Sequence, residues 1–170
     1  ACGTPSAGVS NGVIAAEQKL GKTWMVLDLI VSVASDGVWL ESFPVERPGP
    51  VVAFLGEGGD RKMLRRLRAI AKAKSVELES LPIHLCMRVP HLTNSEHLDE
   101  MHQKVNEIPP SLVVIDPLYL AARGAKGSDL YAMGEHLEEV QLIAQGAGAA
   151  LVIVHHWNQT GQGDGAGRMS

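Results

Sequence analysis

The stretch Ala16-Glu17-Gln18-Lys19-Leu20-Gly21-Lys22-Thr23 decides the fold of this chain, and Trp24 follows it directly. It matches the pattern G-x-x-x-x-G-K-[ST] except at the first position, where Ala16 replaces glycine. A short apolar run precedes the stretch and an amphipathic helical pattern follows it, as in a loop that binds phosphate groups. The whole stretch and Trp24 are therefore predicted to contact a nucleotide, with Lys22 on the β and γ oxygens and the Thr23 hydroxyl on Mg²⁺.

The same stretch has an alternative interpretation, as a solvated helix start that happens to contain Gly-Lys-Thr. Its alanine leaves two possibilities open. If the φ angle of Ala16 is positive, its Cβ costs on the order of 1 kcal/mol. If that φ angle is negative, alanine is harmless at this position.

Short apolar runs alternate with helical patterns along the chain, and this alternation predicts the fold class. Strands are predicted at Gly12–Ala16, Val51–Gly56, Leu112–Asp116 and Ala149–His155, with a further candidate at Ile83–Arg88. Helices are predicted at Lys22–Ser35, Asp60–Lys74, Asn94–Ile108 and Asp129–Gln145. Strands separated by helices imply βαβ crossovers, and so an α/β fold of three layers with a mainly parallel sheet.

The apolar spacing also predicts which faces of the first two helices are buried. In the first helix, the predicted buried face comprises Met25, Val26, Leu29, Ile30 and Val33. In the second, Asp60 is predicted to cap a helix whose apolar stripe comprises Leu64, Leu67 and Ala71.

A carboxylate ends the apolar run Leu112–Asp116. On a buried parallel strand this acid emerges at the carboxyl edge of the sheet, beside the phosphate loop. Asp116 is therefore predicted to hold Mg²⁺ together with Thr23, as a Walker B aspartate does. The alternative is a core strand that ends in an ordinary Asp-Pro turn.

Two further polar positions follow predicted strands. Glu57 precedes Gly58-Gly59, where the chain can turn sharply, and is a candidate general base for water that attacks the γ-phosphate. Its alternative is an exposed turn glutamate. His155 and His156 close the last strand, where a histidine could bond the γ-phosphate. A structural metal is disfavoured because adjacent strand side chains point to opposite faces.

Length and composition fit one domain over residues 1–170, with residues 1–11 as a loose lead-in and 158–170 as a glycine-rich loop. The net charge of −4 gives no global attraction to nucleic acid. Two cysteines favour a reducing cytoplasm, and no apolar run approaches membrane length. The chain lacks an initial methionine and stops after the glycine-rich loop, so we expect a fragment truncated on its carboxyl side.

Basic residues crowd the second predicted helix. They are Arg61, Lys62, Arg65, Arg66, Arg68, Lys72 and Lys74. Because they face away from Leu64 and Leu67, a solvated face is the favoured interpretation. Subunit contact or binding to the phosphates of DNA is the alternative. No aromatic residues interleave with these charges to stack bases.

Taken together, several segments resemble the RecA-like ATPases of the RepA hexameric helicase type, often named AAA family ATPases. The segments are Glu17–Trp24 with Met25–Ser35, Pro48–Val52, Glu57, Val113–Leu118, and His155-His156-Trp157-Asn158. The resemblance implies a RecA-like fold, ATP and Mg²⁺ as ligands, and hydrolysis between subunits of a ring or filament. It also implies a role in DNA unwinding or in replication of a mobile element, with single-stranded DNA as a candidate partner.

The resemblance assigns roles to individual residues. Gly21, Lys22 and Thr23 would bind phosphates and Mg²⁺, and Asp116 would bind Mg²⁺. Glu57 would activate the attacking water, and His155 would sense the γ-phosphate. Arg168 would act as an arginine finger that reaches a neighbouring subunit.

Two positions depart from the family pattern. Ala16 replaces the first glycine of the loop, and Gln159 stands where many relatives have lysine. A degenerate module that binds nucleotide without turnover is therefore the alternative function. A P-loop kinase ranks last, because no lid segment with clustered arginines is evident.

Overall fold

A parallel β-sheet lies at the centre of the protein in the computed structural model, which describes residues 10–17, 20–121 and 130–157. The strands are β1 (Asn11–Glu17), β2 (Val38–Trp39), β3 (Phe43–Pro44), β4 (Val51–Leu55), β5 (Ile83–Cys86), β6 (Leu112–Asp116) and β7 (Ala150–Trp157). The helices are α1 (Lys22–Ala34), α2 (Asp60–Ala73), α3 (Ser95–Glu107), α4 (Leu118–Ala121) and α5 (Leu130–Gly146). Every predicted strand and helix is present, with small shifts at the ends.

Five of these strands form one sheet in the order β1-β7-β6-β4-β5, with every neighbouring pair parallel. Parallel pairing brings the carboxyl ends of the strands to a common edge. The order places β7 between β1, which leads into the phosphate loop, and β6, which ends in Asp116. One strand, β7, therefore separates the strand that ends in Asp116 from β1.

Each central strand contributes to two hydrophobic cores, because successive side chains point to opposite faces of a sheet. In β4, Val51, Ala53 and Leu55 face one core, which they share with α1 and α2. Val52 and Phe54 face the other core, with α3 and α5. All five residues of β4 are buried, which is why the strand reads as a continuous apolar run. The predicted three-layer α/β fold is confirmed.

The buried surface of α1 is wider than predicted. Leu27 and Val31 are fully buried beside Val26 and Ile30, whereas Met25 and Leu29 are only partly buried. The reason is that α1 packs both on the sheet and against α2, so no single stripe describes its buried surface.

Helix α2 differs from the prediction in its cap and in its buried face. Gly59 is the N-cap and Asp60 lies in the first turn, with no side-chain cap. The buried residues are Met63, Leu67, Ile70 and Ala71. Leu64 is 38% exposed, because the helix is rotated so that Met63 faces the core in its place.

A small antiparallel ribbon of β2 and β3, which the sequence did not predict, packs on α1. The Trp39 indole N–H donates to the Met25 carbonyl at 3.0 Å, and the Lys74 ammonium donates to the Val38 carbonyl at 2.7 Å. Lys74 also forms a 2.9 Å ion pair with Asp28 of α1. Strands of two residues are too short to show a periodic pattern, so only these tertiary contacts reveal them.

No helix within the described ranges has the length and apolar character needed to cross a membrane.

Candidate active site

Helix α1 begins at a glycine whose backbone conformation requires that residue type. Gly21 has φ 82° and ψ 8°, in the left-handed region that L side chains rarely adopt. A Cβ there would meet nothing within 4 Å, so the requirement comes from the backbone and not from crowding. No acidic residue stands in the first turn of α1. The positive end of this helix is therefore suited to an anion.

The residues before Gly21 divide into two groups. Ala16 and Glu17 belong to β1 and pair with His156 and Trp157, so the strand runs further into the motif than predicted. Ala16 is thus a strand residue, and extended backbone is open to any residue type. Gln18 and Lys19, both predicted to contact nucleotide, lie outside the described residues.

Three charged side chains interact where the loop, β6 and β4 end. Lys22 is 5% exposed and Asp116 is 4% exposed, so both charges are largely removed from water. Burial, chiefly, and the Glu57 carboxylate raise the pKa of Asp116, the Lys22 ammonium lowers it, and the net result is a pKa of about 6. A bound divalent cation would favour the ionised form of Asp116.

The polar positions follow the strand order along the carboxyl edge. The phosphate loop follows β1, His155 lies on β7, Asp116 ends β6 and Glu57 follows β4. The backbone N–H of Gly56 donates to the Asp116 carbonyl at 2.7 Å, which fixes the ends of β4 and β6 together. Neighbouring strands lie about 4.8 Å apart. The four positions therefore lie side by side along one edge of the sheet.

Tyr119, which the sequence analysis did not single out, contacts the candidate general base. Its hydroxyl donates a hydrogen bond to Glu57 Oε1. Tyr119 lies on the short helix α4, directly after β6 and the cis Asp116-Pro117 peptide. A tyrosine shortly after an Asp-Pro turn carries no signal of this role, because its partner comes from another strand.

His155 has an unusual buried atom. Its Nδ1 is shielded from solvent and has no hydrogen-bond partner among the described residues. Buried polar atoms normally have partners, so this nitrogen is suited to bond a ligand that enters the edge. Arg168, the predicted arginine finger, lies outside the described residues.

Thr23 and Trp24 complete the described part of the predicted loop, and Leu20 precedes them. Thr23 is half-buried next to Lys22, whereas Leu20 is exposed. Trp24 is 45% exposed and carries the guanidinium of Arg66 over its ring.

A parallel sheet with helices on both faces, a glycine-capped helix after β1, and a buried lysine and aspartate at the carboxyl edge define a P-loop nucleotide-binding domain. The sequence pattern of the AAA domain family matches residues 8–162. The chain belongs to this family, and it is accordingly an ATP-binding P-loop ATPase. Among curated proteins, no sequence matches the chain.

The described residues fit ATP and Mg²⁺. Lys22 and the start of α1 supply positive charge for phosphates, and Asp116 with the Thr23 hydroxyl supplies the hard oxygen ligands that Mg²⁺ prefers. Bound Mg²⁺ would neutralise charge on the β and γ oxygens of the nucleotide.

Proposed function

We propose that this domain hydrolyses ATP in a Mg²⁺-dependent reaction and belongs to the RecA-like ATPases of the RepA helicase type. Glu57 orients water and accepts its proton as that water attacks the γ-phosphorus in line with the leaving ADP oxygen. Lys22 holds the β and γ oxygens, and His155 bonds the γ-phosphate. Products are ADP, inorganic phosphate and a proton that leaves through Glu57.

The single observation that carries this proposal is the burial of Lys22 and Asp116 together at the carboxyl edge of the sheet, where Glu57 acts on the same aspartate. Two carboxylates that lie close together, one of them buried, do not stabilise the end of a strand. A bound cation would favour the ionised form of both carboxylates.

We further propose that the site is completed by a second copy of the chain. Arg168 of a neighbouring subunit would reach the γ-phosphate and stabilise charge that develops on it in the transition state. The assembly would be a ring or filament that couples hydrolysis to unwinding of DNA during replication of a mobile element.

The test is phosphate release from Mg-ATP over a series of protein concentrations, with and without single-stranded DNA. Turnover per subunit should rise with concentration, and stimulation by DNA would support the helicase assignment. Lys22→Ala should reduce turnover by at least about a hundredfold, because it removes the ammonium group that neutralises negative charge on the transferred phosphate. Lys62→Ala, on the exposed face of α2, is the matched control and should behave as wild type.

A second candidate function is nucleotide binding without turnover. The hydrogen bond from Tyr119 to Glu57 favours it, because that hydroxyl engages a carboxylate oxygen that the attacking water would otherwise use. Saturable ATP binding with no phosphate release at any protein concentration would establish this candidate and exclude the first.

A further inference from the structure

An exposed tryptophan stands at the start of α1, directly after Thr23. Trp24 is 45% exposed although its ring contacts a neighbouring helix. The guanidinium carbon of Arg66, on α2, lies 5.3 Å from the centroid of the indole ring. This is the range in which a cation interacts with an aromatic face.

The contact between Trp24 and Arg66 has a fixed geometry, because the two helices that carry it pack together. Helices α1 and α2 share a core in which Val26 and Ile30 contact the same cluster as Met63 and Leu67. Arg66 is itself partly buried. The ring is thus held on one side by a cation, while nearly half of its surface remains open.

The position of this ring matters because of what lies next to it. Among the described residues the exposed large aromatics are Trp24, Phe43 and Tyr119. Phe43 lies on the β2–β3 ribbon against Trp39, and Tyr119 bonds Glu57. Trp24 is therefore the exposed aromatic that adjoins the loop where phosphates would sit.

We propose that the open face of Trp24 stacks the base of the bound nucleotide, with Arg66 positioning the ring from its other face. This inference rests on the proposed nucleotide-binding function and adds the substrate class. Stacking uses the π-face that every base has, and it reads no hydrogen-bonding edge. The site therefore accepts purine nucleoside triphosphates in general, prefers them to pyrimidine ones for their larger area, and does not separate ATP from GTP.

The test measures dissociation constants of ATP, GTP, CTP and inorganic tripolyphosphate, each with Mg²⁺, for the wild-type chain and its variants. Trp24→Ala should weaken ATP and GTP by about tenfold, the usual effect of removing a stacking aromatic. It should leave tripolyphosphate unchanged, because that ligand has no base. Trp24→Phe should restore most of the affinity. Phe43→Ala, which removes an exposed aromatic from the ribbon, should bind every ligand as wild type does.

The positioning role of Arg66 has its own readout. Arg66→Ala should weaken ATP by a smaller factor than Trp24→Ala does. The contribution of Trp24 to the emission anisotropy is obtained by subtracting the signal of Trp24→Phe. Arg66→Ala should lower this contribution.

Three outcomes would overturn the inference. One is an equal loss of ATP and tripolyphosphate affinity in Trp24→Ala, which would mean that Trp24 shapes the phosphate loop. Another is unchanged ATP affinity in that variant. The third is quenching of Trp24 emission by oligodeoxythymidylate but not by ATP, which would assign the ring to nucleic acid. A failure of the proposed function itself would give a different result. In that case, binding of ATP and of tripolyphosphate would not depend on Lys22.

Discussion

At the scale of single residues, the proposed Mg²⁺ ligand Asp116 is a carboxylate whose charged form is disfavoured by burial. Asp116 is buried at the end of β6, near Glu57, with Lys22 as the cation that acts on it. The difference between the usual Asp pKa of 3.8 and about 6 corresponds to roughly 3 kcal/mol against the ionised form. Such a cost is typical of a residue retained for ligand binding and not for stability.

The sign of this shift predicts how stability depends on pH. The folded protein retains the Asp116 proton between about pH 4 and pH 6 while the unfolded chain releases it, so the free energy of unfolding contributed by this group falls over that range. Above about pH 6 this contribution to the free energy of unfolding no longer changes with pH. Asp116→Asn should therefore be more stable than wild type at pH 7, by up to roughly 3 kcal/mol, and about equal at pH 4.

Urea unfolding at the two pH values measures this difference, in the absence of Mg²⁺ and nucleotide. Asp99→Asn, at an exposed position on α3, is the control and should change little at either pH. If Asp116→Asn is less stable than wild type at pH 7, the carboxylate is a structural partner and our interpretation of the site is wrong.

At the scale of secondary-structure elements, the contact of Tyr119 with Glu57, the proposed general base, depends on how closely α4 approaches the end of β4. A Cβ placed on Gly56 would lie 2.6 Å from Leu120 Cδ1 and 2.7 Å from Val89 Cγ2. Leu120 follows Tyr119, and Gly56 precedes Glu57. The glycine thus permits the close packing that lets the tyrosine reach the glutamate.

This approach predicts that Gly56→Ala displaces α4 from β4. The end of Leu120 can rotate away, but Val89 is β-branched and buried, so we expect a loss of about 1–2 kcal/mol of stability. The contact between Tyr119 and Glu57 should loosen, and turnover should change more than the affinity for ATP. Urea unfolding, phosphate release and ATP binding measure the three effects.

Gly146→Ala is a matched control for this substitution. Gly146 is the last residue of α5, and its φ angle is one that any residue adopts. A Cβ added there would meet nothing within 4 Å, so alanine should be neutral or slightly stabilising. Equal effects of the two alanines would show that Gly56 is not a point of close approach.

At the scale of the whole molecule, two hydrophobic cores on opposite faces of one sheet hold the functional edge in place. The core with α1 and α2 holds α1, whose start is the proposed phosphate site, against the sheet. The other core, with α3 and α5, supports α4 and the residues that follow β6. Ligand binding at the edge contacts residues supported by both cores, so it should stabilise the fold as a unit.

Mg-ATP at about a hundred times its dissociation constant should add about 2.7 kcal/mol to the free energy of unfolding. For a chain of 170 residues, this corresponds to a rise in Tm of about 5–10 °C. Differential scanning calorimetry measures the rise. Chelation of Mg²⁺ with EDTA should remove most of it, and Lys22→Ala should show little at the same ATP concentration. An equal rise in Lys22→Ala would place nucleotide binding elsewhere on the protein.

Some features of the protein were predictable because their causes are local in sequence. Burial on both faces makes a strand such as Leu112–Asp116 continuously apolar, and the left-handed start of α1 demands a glycine such as Gly21. The alternation of such strands with helices predicted the α/β fold, and the motif predicted where phosphates would bind. The roles assigned to Glu57, Asp116 and His155 stay predictions, although the fold brings all three to one edge.

Other features were decided by tertiary structure, because they depend on residues distant in the chain. Sequence spacing could not show that β7 lies between the loop strand and β6, since strand order depends on how the crossovers pack. Neither the hydrogen bond from Tyr119 to Glu57 nor the contact of Arg66 with Trp24 leaves a local pattern. The sequence by itself determined that a parallel sheet would form and that α1 would begin at a glycine, from local periodicity and backbone conformation. Only the packing of helices on that sheet decided which side chains meet at its edge, because burial and electrostatic interactions act through space.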